Sequence, residues 1–313
     1  MRIVISEFMD EAAVAGLAAR HETFYDKGLV DRPDELKART GAADALIVRN
    51  RTQVNAGLLA VAPALRVVGR LGVGLDNIDV DACKARGIEV IPATGANALA
   101  VAEYVIGTAM FLLRGAYASS AAVAGGEWPR QALSSGRELA GKTLGVIGFG
   151  GIGRLAARLG RALGMHVIGF DAQIASSSPV WSAEGVEPRS FDALLAKADV
   201  VTLHVPLVAA TRHLIDTERL RLMKPGAILI NTARGGVVDE GAVAVALKSG
   251  RLGGAALDVF EQEPLAAGSP LAGCPNLLLT PHIAGVTAES NARVSMLIAE
   301  KVAAALARGR AAG

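Results

Sequence analysis

The sequence predicts an α/β protein with two doubly wound parallel-sheet domains and a cleft between them. Three observations carry this expectation. Up to about residue 92, short β-branched runs at residues 3–6, 45–49, 67–70 and 89–91 alternate with helix-length segments, the order that builds a parallel sheet covered on both faces. The alternation then restarts, with strands expected at 143–147, 166–170, 200–204, 228–231, 254–257 and 277–279. Between the first two of these lies the run Gly148-Phe149-Gly150-Gly151-Ile152-Gly153.

The elements follow in chain order. Arg2-Ile3-Val4-Ile5-Ser6 reads as a first strand, and no small-residue cleavage site follows a charged leader, so export is not expected. The apolar segment 98–113 carries Glu103 and is too short to span a bilayer comfortably. It reads as a long buried helix that crosses from the first domain to the second and packs at a subunit interface. Ser176-Ser177-Ser178-Pro179 reads as a loop past the second strand of the second domain. The alanine-rich segment after Glu289 has helical periodicity and no strand after it, so it is expected to return to the first domain. The expected division is 1–97 plus 288–313 for one domain and 98–287 for the other.

Composition narrows the function. A chain of 313 residues supports two domains of ordinary size. Its net charge of +2 includes no long run of one sign, which points away from nucleic acid and from a membrane surface. Cys83 and Cys274 stand far apart without a CxxC partner, the pattern of free thiols in a reducing cytoplasm. No His/Cys cluster has metal-ligand spacing, so no metal is expected.

The glycine run supplies the first chemistry. A strand, a glycine turn and a helix start bring a dinucleotide pyrophosphate against backbone N–H groups, the opening of a Rossmann-like βαβ unit. Gly148, Gly150, Gly151, Ile152 and Gly153 are therefore candidate cofactor contacts. Asp171 follows the next strand, where a carboxylate accepts hydrogen bonds from the adenosine ribose and repels a 2′-phosphate. Ala172 and Gln173 supply no arginine for such a phosphate, so NAD is expected in preference to NADP.

Three later segments each follow an expected strand. Ile230-Asn231-Thr232-Ala233-Arg234-Gly235 brings a guanidinium, whose planar fork holds a carboxylate bidentately. Asp258-Val259-Phe260-Glu261-Gln262-Glu263-Pro264 brings acids, and Leu279-Thr280-Pro281-His282-Ile283-Ala284-Gly285 brings a histidine able to move a proton near neutral pH. The carboxyl edge they share is where open α/β sheets bind ligands.

Together with Arg70-Leu71-Gly72-Val73-Gly74-Leu75-Asp76-Asn77-Ile78-Asp79, these ordered motifs resemble the D-isomer-specific 2-hydroxyacid dehydrogenase family over nearly the whole chain. The resemblance implies His282 as acid/base, Glu263 as the carboxylate that orients it and raises its pKa, and Arg234 as the clamp on substrate carboxylate and carbonyl. It implies backbone N–H groups of Val73 and Gly74 at the other end of that carboxylate. For NAD it implies Gly151 and Ile152 at the pyrophosphate, Asp171 at the ribose, and Thr232, Ala233, Arg234, Asp258, His282 and Gly285 toward the nicotinamide. His204-Val205-Pro206 matches the segment bordering the adenosine. Subunit association, as a homodimer, is a further implication.

Val48-Arg49-Asn50-Arg51-Thr52 resembles the phosphoglycerate dehydrogenase branch. Arg49 and Arg51 at a strand end are expected to hold a second anion on a small 2-hydroxy or 2-keto acid, such as phosphate or sulfonate. Arg130 is a candidate to add charge from a neighbouring subunit. The chain stops soon after the last expected helix, which favours a short form without a regulatory domain. Phosphoglycerate, sulfolactate, hydroxypyruvate and glyoxylate all remain open as substrates. An NAD-sensing corepressor-like scaffold, which shares the fold and the triad, is the reading from another class.

Overall fold

The computed structural model describes residues 1–308. The chain forms two compact units, Met1–Asn97 with Val286–Gly313, and Ala98–Gly285. In the first unit the elements run β1 (Arg2–Ile5), α1 (Glu11–Ala18), β2 (Glu22–Tyr25), α2 (Pro33–Thr40), β3 (Ala45–Val48), α3 (Ala56–Ala60), β4 (Val67–Arg70), α4 (Val80–Ala85) and β5 (Glu89–Pro92). The sheet order is β2-β1-β3-β4-β5, all parallel. Central β3, Ala45-Leu46-Ile47-Val48, is buried along its whole length, as a strand covered on both faces must be. Helix starts are fixed locally: Asp10, Asn55 and Asp79 accept hydrogen bonds from backbone N–H groups of the helices they precede.

The second unit contains α5 (Ala98–Arg114), α6 (Ser120–Ala124), β6 (Thr143–Ile147), α7 (Gly151–Ala162), β7 (His166–Phe170), α8 (Pro179–Ala183), β8 (Glu187–Pro188), α9 (Phe191–Lys197), β9 (Val200–Leu203), α10 (Thr217–Leu222), β10 (Ala227–Asn231), α11 (Glu240–Lys248), β11 (Leu252–Leu257) and β12 (Leu277–Leu279). Its seven parallel strands run β12-β11-β10-β9-β6-β7-β8. Strand order reverses between β6 and β9, the position where doubly wound sheets open to a ligand. Ala102, Val105, Ala109 and Leu112 of α5 pack with Leu144, Val146, Ala156 and Ala157. Among the described residues no single helix is long and apolar enough to cross a membrane, although α5 and the segment Ala116–Ala124 pass by length and composition as a bent pair.

Helix α12 (Ala288–Ala307) belongs to the first unit. Thr287 accepts from Ser290 N at its start, and Ile298 and Val302 pack with Ile3, Ile47 and Val67. A Cβ on Gly69 of β4 would stand 2.8 Å from the Cγ2 atoms of both Ile298 and Val302. The helix lies this close because the strand offers no side chain there.

Two strands were not anticipated. β2 is an edge strand whose side chains are only partly buried, and β8 has two residues, so neither carries a hydrophobic run. The expected strand 45–49 ends instead at Val48, because the Arg49 N–H turns to the Glu7 carboxylate rather than to a strand. The expected strands 3–6 and 200–204 likewise end one residue early, leaving Ser6 and His204 in loops.

Candidate active site

The glycine loop in the second unit contains two kinds of glycine. Gly148 has φ +91, and a Cβ there would meet His204 O at 2.5 Å. A Cβ on Gly153 would meet Gly148 O at 2.2 Å, so these two are required by packing. Gly150 and Gly151 instead have open space where a Cβ would project. Helix α7 begins at Gly151 with no side-chain cap, leaving its first N–H groups for an anion. Ile152 is the second residue of that helix.

Asp171, just past β7, is fixed against this loop. Its Oδ2 accepts from Phe149 N and its Oδ1 from Gln173 N, each at 2.8 Å. His204 lies past β9, with Nε2 3.1 Å from Thr202 Oγ1. Desolvation pushes its pKa down to about 4, so the ring is neutral at ordinary pH. Val205 Cγ1 would lie 3.1 Å from a Cβ on Gly148, and Pro206 is exposed. The Thr232 hydroxyl is buried without a hydrogen-bond partner. An orphaned buried hydroxyl and an open helix N-terminus beside a fixed carboxylate suit a dinucleotide.

Arg234 is carried on a turn shaped by Asn231. The Asn231 side chain accepts from Ala233 N and donates to Arg234 O, both at 3.0 Å. Gly235 follows because a Cβ there would lie 1.6 Å from Phe260 O. Packing therefore brings the Arg234 turn against the start of the Asp258–Glu263 loop.

That loop is tied to the histidine loop by Asp258, which is 1% exposed. Its Oδ1 accepts from Thr280 Oγ1 at 2.6 Å and Ile283 N at 2.8 Å, and its Oδ2 from Ala284 N at 2.8 Å. Tyr104 of α5 reaches Thr280 Oγ1 at 2.6 Å. His282 takes φ +55 on this scaffold and donates its N–H to Asp258 O at 2.8 Å. Its Nδ1 meets Glu263 Oε2 at 2.8 Å, while Glu263 Oε1 accepts from Phe260 N at 3.1 Å. The ring is half exposed, so Nε2 is the nitrogen left for a ligand.

In the first unit, Val73 is exposed and Gly74 partly so, in the loop after β4. The two arginines of the β3 loop part company. Arg49 is half-buried and places Nη2 3.0 Å from Asn291 Oδ1, and burial lowers its pKa. Arg51 instead forms an exposed ion pair with Asp31. Arg130 is exposed, two residues past Trp128, which is largely exposed. Sequence reasoning did not single out Glu7, Asn77, Tyr104 or Asn231, although Asn77 and Asn231 lie inside quoted motifs.

Residues 106–284 match the model described as "D-isomer specific 2-hydroxyacid dehydrogenase, NAD binding domain". (S)-Sulfolactate dehydrogenase of Chromohalobacter salexigens is 55% identical over 304 residues, covering 97% of this chain and 98% of that protein. The chain belongs to the D-isomer specific 2-hydroxyacid dehydrogenase family. D-3-Phosphoglycerate dehydrogenase of Mycobacterium leprae is 42% identical over 308 residues, 97% of this chain but 57% of that longer protein. Among solved structures, D-lactate dehydrogenase of Aquifex aeolicus, complexed with NAD and lactic acid, has a TM-score of 0.83 at 31% identity, covering 99% of this chain and 96% of that one. The family resemblance, the two parallel α/β domains and the NAD-binding domain are thus as the sequence indicated.

Proposed function

We propose that this family member interconverts a small 2-hydroxy acid and its 2-keto acid with NAD, and that the acid carries a second anionic group of the sulfolactate or 3-phosphoglycerate type. The observation that carries the chemistry is the His282 Nδ1 to Glu263 Oε2 bond of 2.8 Å. Glu263 holds the ring so that Nε2 faces the substrate oxygen, taking the hydroxyl proton in oxidation and returning it in reduction. Arg234 clamps the carboxylate and steadies charge on the carbonyl oxygen. Val73 and Gly74 offer backbone N–H groups to the same carboxylate.

Gly148, Gly150, Gly151, Ile152 and Gly153 would hold the pyrophosphate, Asp171 the ribose, and His204, Val205 and Pro206 the adenosine side. Thr232, Ala233, Arg234, Asp258, His282 and Gly285 would surround the nicotinamide, with the Thr232 hydroxyl free to bond there. Bound NAD supplies the hydride acceptor, and as NADH the donor, at the substrate's C2. The second anion is assigned to Arg49, the half-buried arginine, since Arg51 is engaged by Asp31. The sulfolactate relative supports that class.

A panel of 2-keto acids with and without a terminal sulfonate or phosphate, assayed with NADH and NADPH, tests the reading. The doubly anionic acids should have the highest kcat/KM, and Asp171→Ala should narrow the preference for NADH. Best turnover of glyoxylate or hydroxypyruvate would make the protein a simple reductase, and no turnover at all would favour the corepressor-like scaffold.

A homodimer is part of the proposal, through the exposed Leu99, Met110, Tyr117, Val123 and Trp128. Light scattering should give twice the chain mass, and Trp128→Asp should reduce it. A cytoplasmic location is proposed on the two free thiols, Cys83 and Cys274, and cell fractionation tests it.

A further inference from the structure

A polar network in the first unit centres on Glu7, a residue with no part in the roles above. Glu7 follows β1 and is 4% exposed. Its Oε1 accepts from Arg49 N at 2.8 Å and Thr52 N at 3.0 Å, and its Oε2 from Arg51 N at 3.0 Å and Asn50 N at 3.3 Å. Four successive amides after β3 therefore gather around one carboxylate. Such a concave row of N–H groups ordinarily binds an external anion; here the protein's own side chain fills it.

The network extends to a third loop. Asn77, 8% exposed and three residues past Gly74, donates its side-chain amide to Thr52 O at 2.7 Å and Arg49 O at 3.3 Å. Val54 N returns a bond to Asn77 O at 2.8 Å. Ser6 Oγ meets Thr52 Oγ1 at 2.8 Å. The loops after β1, β3 and β4, all at the carboxyl edge of one parallel sheet, are thus a single hydrogen-bonded platform. Arg49 is held in it by both its N–H and its C=O.

A carboxylate has about four lone-pair directions, and the amides of residues 49–52 take them all. Glu7 therefore fixes the Arg49 backbone without claiming the Arg49 guanidinium, which keeps its charge for another anion. Asn291, and Phe8 with its ring centroid 5.8 Å from the guanidinium carbon, set that side chain's direction.

We propose that Glu7 is a positioning residue for substrate selection: by gathering the amides of residues 49–52 it sets the spacing between the Arg49 guanidinium and the backbone N–H groups of Val73 and Gly74. That spacing would match the two anionic ends of one small acid. The proposal rests on Arg49 as the second-anion contact.

Its test is the ratio of kcat/KM for a three-carbon 2-keto acid with a terminal sulfonate to that for pyruvate, measured with NADH. Glu7→Gln keeps the side-chain shape but turns one acceptor oxygen into a donor facing two amides. It should lower the ratio by about tenfold or more, chiefly through KM for the sulfonate. Glu7→Asp, which keeps the charge, should recover part of the loss. In an Arg49→Ala background the Glu7→Gln change should add less than about twofold, since both act on one contact.

If Arg49→Ala leaves the ratio unchanged, the second-anion reading falls and this proposal with it. If Arg49→Ala lowers the ratio while folded Glu7→Gln does not, or lowers both substrates alike, the Glu7 proposal alone falls. Should Glu7→Gln fail to fold, Asn77→Ser, which loosens the same loop from its carbonyl side, is judged by the same ratio.

Discussion

At the scale of single residues, the pairing of His282 with Glu263 decides what the site can do. An imidazole with Nδ1 bonded to a carboxylate at 2.8 Å has one tautomer and one ring orientation enforced. His282→Ala should therefore lower kcat in both directions by on the order of 100-fold, the usual scale for a positioned acid/base. Glu263→Gln should cost less, roughly tenfold, because the ring survives while its partner becomes a neutral amide. Steady-state kinetics on folded variants checks both, and near-normal turnover of His282→Ala would remove the histidine from the mechanism. Arg234→Lys should raise KM and lower kcat together, since an ammonium keeps the charge without the planar fork.

At the scale of elements, the candidate residues are held where they are by contacts between loops. Gly235 under Phe260 O, Gly148 under His204 O, and Asp258 bridging to Thr280, Ile283 and Ala284 join loops that follow β6, β9, β10, β11 and β12. His204 gives this packing a pH signature. Its folded pKa of about 4 lies below the ordinary 6.5, so between those values the unfolded chain takes up the proton first. Its share of stability is complete above pH 6.5 and is lost as pH falls toward 4. Urea unfolding of His204→Asn should show a shallower loss across that window, by on the order of 2 kcal/mol. A parallel loss in both proteins would mean that the ring titrates normally.

The same scale explains what the sequence disclosed and what it hid. The interior strands other than β11 were legible because runs rich in Val, Ile and Leu report burial directly, while β11, Leu-Gly-Gly-Ala-Ala-Leu, was anticipated only over residues 254–257. The glycine loop and the arginine, acid and histidine segments were legible because their chemistry is local. β2 and β8 were not, being partly exposed edges. Glu7 and Tyr104 escaped because their partners are remote: Glu7 bonds an amide 42 residues away and Tyr104 a hydroxyl 176 residues away. No local pattern separates such residues from an ordinary surface acid or a core aromatic. Arg51 shows the converse. Both arginines carried the same expectation, and their remote partners distinguish them: Asp31, twenty residues earlier, for Arg51 and Asn291, far along the chain, for Arg49.

At the scale of the whole molecule, the chain builds two cores of its own. Each hydrophobic cluster draws on a single unit, the first completed by α12 from the far end of the chain and the second wrapped on both sheet faces. Separate cores predict separate responses to perturbation. NAD binds through the second unit, so at about 100 times Kd it should stabilise that unit's unfolding by roughly 2.7 kcal/mol. Gly69→Ala should act on the first unit instead, because its Cβ would crowd Ile298 and Val302 at 2.8 Å, an overpacking worth about 1–3 kcal/mol. Differential scanning calorimetry with and without NAD, on both proteins, resolves the two effects. Two transitions should appear on adding NAD, the upper one moving with cofactor and the lower one with the substitution. A single transition that shifts as a whole under either change would mean that the units unfold as one cooperative block, and that the energy of α12 packing is shared across the entire chain.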